Sequence, residues 1–164
     1  MNDLNYESRK VGLVMNLKKT KYICNDFCTP GDVRLENDKL EAVDEYLYLG
    51  QLLCMKGGKE KEIIRRMKLG WSPLERMNLV FKSKIPVCLM KKAFERHVLP
   101  AMTYGCETWT LNGRMVRKLK CTQRSMERYM LGITRRDRKR NIWVRNITKV
   151  IDIMERVMKL RWKW

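Results

Sequence analysis

The sequence predicts an α+β protein, in which a small antiparallel β unit is followed by a mostly helical bundle. Three observations carry that reading. Up to about residue 55, apolar residues alternate with polar ones or form runs of four or five, the pattern of strands. Beyond about residue 59 they recur at i, i+3, i+4 and i+7, the pattern of helices. Gly57-Gly58 stands between the two regimes. The chain has 164 residues, of which 45% are apolar, so it can bury a core and is not a disordered tail. No apolar run approaches the roughly 18 residues of a membrane span. The opening Met1-Asn2-Asp3-Leu4 has no basic cluster before an apolar stretch, so it is not a secretory signal.

In chain order, residues 4–11 are expected to form a short helix closed by Gly12. Leu13–Asn16 and Lys21–Cys24 read as strands around Lys18-Lys19-Thr20, and Pro30-Gly31 as a turn. Asp32–Leu35 and Leu40–Val43 alternate around Glu36–Lys39, which predicts a hairpin, and Glu45–Gly50 reads as an aromatic-rich strand. A helix is expected over 59–69, broken at Ser72-Pro73 and restarted to about residue 81 with Ser72 as cap. Pro86 opens another, with Val87, Met90, Phe94 and Val98 on one side and a kink or end at Leu99-Pro100. Asn112 is placed as the cap of a helix with the stripe Met115, Leu119, Thr122, Met126 and Tyr129, ended by Gly132. Asn141 is placed as the cap of a last helix with the stripe Ile147, Ile151, Met154 and Met158. The two tryptophans at 162 and 164 are read as a sign of further polypeptide or of a packed end.

Lysine and arginine number 36 against 18 aspartates and glutamates, a net charge of +18. Residues 114–164 hold 17 of those basic residues and only 4 acidic ones. This final third is therefore the electrostatic footprint of a polyanion-binding protein. Along the helix before Gly132 the candidates are Arg117, Arg124 and Arg128; in the basic run beyond it they are Arg135, Arg136, Arg138, Lys139 and Arg140. Such side chains neutralise phosphates without reading base sequence. RNA and DNA are the expected partners and no membrane is assigned, although the last helix half fits a membrane-surface helix and keeps that as a minor alternative.

Catalytic and metal chemistry find little support. The seven aspartates form no Asp-Asp or Asp-x-Asp cluster, and the adjacent Asp44-Glu45 would point to opposite faces of a strand. Acidic side chains are accordingly read as solvated charge. His97 is the only histidine, and Cys24 and Cys28 would have to meet it from an unrelated segment to hold zinc. The six cysteines are read as reduced, small buried hydrophobes, as suits an intracellular chain, whether nuclear or cytoplasmic. Gly57-Gly58-Lys59 lacks the spacing of a phosphate-binding loop. No catalytic residue, metal ligand or cofactor is assigned.

Several stretches in fixed order resemble the reverse transcriptases of LINE-type (non-LTR) retrotransposons. Gly12–Lys21 is similar to that family's G-L-x-x-N-x-x-K-T-K, Tyr48-Leu49-Gly50 to its Y-L-G, and Glu62–Arg66 to its E-I-x-R-R. Leu99–Leu111 matches L-P-x-x-x-Y-G-x-E-T-W-x-L, the most specific stretch. The resemblance implies that residues 1–56 are the end of a polymerase palm, with Lys18, Lys19 and Lys21 near the incoming nucleotide. It implies that Tyr48, Leu49 and Gly50 grip the primer end. Residues 57–131 would be the helical thumb on the template–primer duplex, and 132–164 a basic connector with a truncated C-terminal helix. The family's polymerases hold magnesium on an aspartate of an earlier strand and on an Asp-Asp pair, neither of which is present here. The resemblance thus implies a truncated RNA-directed DNA polymerase fragment, inactive by itself, that binds template–primer RNA or DNA. The alternatives are a non-enzymatic partner-binding module, or a piece that supports polymerisation only within a larger chain. Strand edges at 13–24 and 46–54 are expected to lie unpaired and to invite aggregation.

Overall fold

The computed structural model describes residues 1–25, 27–28, 31–55, 60–83 and 85–163. The Gly57-Gly58 boundary and the proline of the Pro30-Gly31 turn lie outside the described residues. The fold is α+β, with short strand pairs before residue 55 and helices after it. The chain divides into two compact units, Met1–Lys61 and Glu62–Trp164.

In the first unit, helix α1 (Asn2–Lys10) precedes β1 (Lys21–Tyr22), β2 (Arg34–Leu35), β3 (Asp38–Lys39), β4 (Glu41–Ala42), β5 (Glu45–Tyr48) and β6 (Gln51–Cys54). Gly12, at φ +78°, ends α1 as expected: its N–H donates to Arg9 and that of Leu13 to Ser8, satisfying the last carbonyls. Leu13–Asn16 is not a strand. Asn16 instead organises a turn, its carbonyl accepting from the Lys19 and Thr20 N–H groups. The expected hairpin is present but tighter. β2 pairs with β3 around Glu36-Asn37, and β4 turns away to pair with β1 in parallel. Glu36 holds the tight turn at φ +57°, where its carboxylate accepts from Asn5 and Arg9 of α1, both at 2.8 Å. Residues 46–54 form a two-stranded sheet. β5 and β6 pair with each other over Glu45↔Cys54 to Tyr48↔Gln51. Leu49 and Gly50 at the turn both have positive φ, the geometry of a two-residue hairpin loop matched to strand twist. The buried apolar residues of this unit are Leu35 and Leu40.

The second unit is helical and holds the main core. Helix α2 (Glu60–Arg76) runs straight through Ser72-Pro73, contrary to the expected break. Pro73 lacks the N–H that would bond the Leu69 carbonyl, a local loss on an exposed turn. The buried ladder Ile63, Met67, Gly70, Leu74 on the opposite side keeps the helix continuous. In place of the restarted helix, α3 (Asn78–Lys82) is a separate short turn. Helix α4 (Val87–Ala93) leads through a widened π turn (Phe94–Val98) into α5 (Leu99–Thr103). Proline at 100 does not end the helix; it stands in the first turn of α5, directly after the π turn. The π turn makes room for its ring where the Arg96 carbonyl would otherwise clash.

Helix α6 (Gly113–Met130) is capped by Asn112, whose side chain accepts from the Met115 N–H at 2.9 Å. Gly132 at φ +66° closes it, with Ile133 N–H donating to Arg128. Its buried side consists of Met115, Leu119, Gln123, Met126, Glu127 and Met130; Thr122 and Tyr129 of the expected stripe lie at its margin. The last expected helix is two helices, α7 (Asn141–Thr148) and α8 (Ile153–Arg161). Lys149 at φ +48° breaks it, and Asp152 caps the second by accepting from the Met154 N–H. The fully buried positions are therefore Val144, Val150, Ile153 and Val157; Ile151 and Met154 of the expected stripe pack half-buried against the core, and Met158 is exposed. Asn141 does not cap α7: its side-chain oxygen accepts from Arg128 at 2.8 Å.

Gly70 is where α2 comes closest to its neighbours. A Cβ there would stand 2.3 Å from Met102 Cγ and 3.1 Å from Met126 Cε. Gly70→Ala should destabilise by about 1–2 kcal/mol, the overpacking cost outweighing alanine's better helix propensity. Urea unfolding of the variant checks this; a gain in stability would mean that Met102 moves aside freely.

Candidate nucleic-acid interface

Helix α6 carries Lys120, Arg124 and Arg128 one turn apart on the same face. After Gly132 the chain turns back beside them. Thr134 and Asp137 form a reciprocal cap around a short 3₁₀ turn (Arg135–Asp137), with Thr134 N–H and Oγ1 donating to the Asp137 carboxylate at 2.6 and 2.9 Å. Those two bonds, the backbone one first, hold the Asp137 carboxyl below its ordinary pKa. The same turn brings Arg135 and Lys139 opposite the α6 face. Together with Asn141, Cys121 and Ser125 these residues line an open cleft of about 460 Å³.

Five cations converge on that cleft, and no carboxylate lines it. They are not equivalent. Arg124 is mostly buried, paired with Glu127 and, at 2.8 Å, with Asp152. Arg128 donates to the Lys139 carbonyl at 3.1 Å and to Asn141 at 2.8 Å, neutral acceptors that orient the guanidinium without cancelling its charge. Lys120, Arg135 and Lys139 make no ion pair with any described residue, and the Lys139 ammonium lies 5.2 Å from the Trp143 ring centroid. Uncompensated, partly preoriented positive charge in a concave site is what a phosphate chain is attracted to.

The structure therefore brings Arg124, Arg128, Arg135 and Lys139 of the sequence-derived set together. Arg117 is exposed on α6 outside the cleft, and Arg136, Arg138 and Arg140 are exposed on the same basic segment without lining it. Lys120 was absent from the set, although its i, i+4, i+8 spacing with Arg124 and Arg128 signals a shared face. In the first unit, Lys18 and Lys19 are exposed on the turn after Asn16, Lys21 pairs with Glu41 across β1 and β4 at 2.8 Å, and Tyr48, Leu49 and Gly50 form the end of the β5–β6 hairpin.

Behind the cleft lies a buried polar network. Glu127 is fully buried and meets Arg124, Arg145 Nη1 at 3.5 Å and the Thr148 hydroxyl at 3.1 Å. Gln123 clamps the α7–α8 connection, donating to the Ile151 carbonyl and accepting from the Ile153 N–H, both at 2.8 Å. Glu95 accepts from the Ile151 N–H at 2.9 Å. The expectation of solvated acids fails at Glu127 and also at Glu62, buried against Arg66 at 2.6 Å. Arg66 in turn stacks 4.4 Å from the Tyr104 ring centroid. The residues of E-I-x-R-R and of the Y-G-x-E-T-W stretch thus meet in the helical unit, in a packing role.

Among the described residues no three His, Cys, Asp or Glu side chains gather, and the neighbouring carboxylates of Glu127 and Asp152 are paired with shared arginines. None of the six cysteines forms a disulfide, and only Cys106 is buried, which pushes its thiol up to about 11. The reading of cysteines as buried hydrophobes fails for Cys28, Cys88 and Cys121, which are exposed because they face outward from loop or helix. No described helix is long and apolar enough to cross a membrane.

No protein-family model matches the chain, and no solved structure is similar to it. One relative bears on its origin: transposon-derived protein F52C9.6 of Caenorhabditis elegans, 30% identical over 172 aligned positions. The alignment takes in all of this chain and 62% of that relative, so the chain spans under two thirds of its length. Over its whole extent, then, the chain is similar to a protein of transposon origin.

Proposed function

We propose that this chain is part of a reverse transcriptase of a LINE-type retrotransposon and binds template–primer RNA or DNA through the basic cleft of α6 and the Arg135–Lys139 segment. The observation that carries the reading is the convergence of Lys120, Arg128, Arg135 and Lys139 on a cleft without a lining carboxylate. The ordered motifs from Gly12 to Trp109 and the similarity to a transposon-derived protein support it. In this reading the helical unit is the thumb and its connector, and polymerisation requires aspartates supplied by other segments or chains. The partners are RNA and DNA; the chain's own residues bind and orient phosphates and perform no chemical step.

The test compares two sets of three substitutions that remove equal charge. Lys120, Arg135 and Lys139 to alanine empties the cleft's lips; Arg136, Arg138 and Arg140 to alanine removes the neighbouring exposed charge. Fluorescence anisotropy against an RNA–DNA template–primer with a single-stranded template overhang over a salt series should show log affinity falling by about 0.7–0.9 per neutralised phosphate per decade of salt. The cleft set should flatten that slope by about 2–3, and the neighbouring set by less than 1. Equal effects would mean that net charge, not the cleft, drives binding.

A second reading, a partner-binding module, has one observation in its favour. Ile151, Met158, Leu160 and Trp162 line an open, mainly apolar cleft of about 600 Å³ along α8. Self-association that persists at high salt, without nucleic-acid binding, would favour it.

A further inference from the structure

The cleft's dimensions and its one exposed aromatic neighbour say more about the ligand than charge does. At about 460 Å³ the open cleft is in the size range of small-molecule sites. Next to Lys139, which lines the cleft, stands Trp143 on α7, 39% exposed, beside Ile142 at 72%. Tryptophan is usually more deeply buried than this. Val144, fully buried on the same helix, anchors α7 so that the indole is presented on a rigid element. The Lys139 ammonium, which lines the cleft, also lies over the indole face, so cation and ring meet at one place.

We infer that the cleft takes a single-stranded segment of nucleic acid, with phosphates on Lys120, Arg135 and Lys139 and one base stacked on Trp143. This rests on the nucleic-acid reading above and names its substrate form. Every base has a flat π face, so stacking on an indole adds affinity without sequence preference. A paired base inside a duplex cannot offer that face. Lys139 leaves the ring for a backbone phosphate when the base arrives, keeping its charge compensated.

The experiment uses the full chain and three probes: a short oligothymidylate, an abasic strand of the same length, and a blunt duplex. Trp143→Ala should weaken oligothymidylate binding about ten- to a hundredfold and leave the salt slope unchanged. Trp143→Phe, which keeps a stacking face and the packing on α7, should retain most of the affinity. On the abasic strand the unmodified chain should bind as weakly as Trp143→Ala does, and the substitution should have no further effect. The inference is overturned if Trp143→Ala costs the same on base-bearing and abasic strands, if it costs nothing, or if the blunt duplex is bound as tightly as the single strand. Should the unmodified chain show no salt-dependent binding to any probe, the nucleic-acid reading falls first, which separates the two failures.

Discussion

Replacing Glu127 with alanine is expected to destabilise the helical unit by about 3–5 kcal/mol, the cost of leaving buried arginines without their carboxylate. Glu127 is fully buried, and Arg124, Arg145 and the Thr148 hydroxyl all point at it. Arg124 would keep Asp152, but its side chain is only 12% exposed and could not be rehydrated without opening the α6–α8 packing. Urea denaturation at neutral pH followed by circular dichroism measures the loss; a change under 1 kcal/mol would show that Asp152 alone satisfies both guanidiniums. The sign of the pH dependence follows from burial. Burial raises the Glu127 pKa above its ordinary 4.5, outweighing the two arginines and the Thr148 hydrogen bond. The native state therefore holds this proton more tightly than the unfolded one. The resulting stability is complete below pH 4.5 and fades as pH rises through the elevated native value. Glu127→Gln lacks the titration, so the stability of the unmodified chain relative to that variant should decline across this window.

Trp109→Ala should cost about 3–5 kcal/mol, the range for a large aromatic removed from a packed core. Trp109 follows the 3₁₀ turn Cys106–Thr108 and is 2% exposed, among the largest fully buried side chains of the second unit. Its indole N–H is buried and has no hydrogen-bond partner among the described residues. That orphan donor makes the phenylalanine variant informative. Trp109→Phe loses ring volume but also removes an unpaired polar group worth about 1–3 kcal/mol, so its net cost should be well below that of alanine. Calorimetric unfolding of both variants checks the ordering. Equal costs would mean that the indole N–H is satisfied in solution.

These two residues also mark where sequence reasoning reached and where it stopped. Trp109 sits in the most specific motif of the chain, yet nothing local says that it is a core residue with an unpaired N–H. Glu127 reads as one more charge on a basic helix. Its burial follows from Arg145 and Thr148, which return to it on α7 only after the turn at Gly132. The break between α7 and α8 was hidden for the same reason. Ile147, Ile151, Met154 and Met158 keep helical spacing, but the backbone of Val150–Ile153 is claimed by Gln123 and Glu95, distant in sequence, and by the nearby Arg145. Pro73 failed as a helix breaker because burial of Ile63, Met67 and Leu74 outweighs one missing hydrogen bond on an exposed turn. The hairpin at 32–43 was shortened by a competitor: Glu41–Ala42 pairs with β1 instead.

What the sequence determined by itself is the two-part α+β organisation, the stops at Gly12 and Gly132, the Asn112 cap and the concentration of positive charge after residue 113. Each depends on residue type and near neighbours: periodicity, left-handed tolerance, a side chain three residues from an N–H, and a count of charges. Only the tertiary structure decided which cations share a cleft, which are consumed by buried carboxylates, and that Trp143 stands beside them. Those outcomes depend on where the chain goes after Gly132, and side chains far apart in sequence interact only once packing has brought their backbones together.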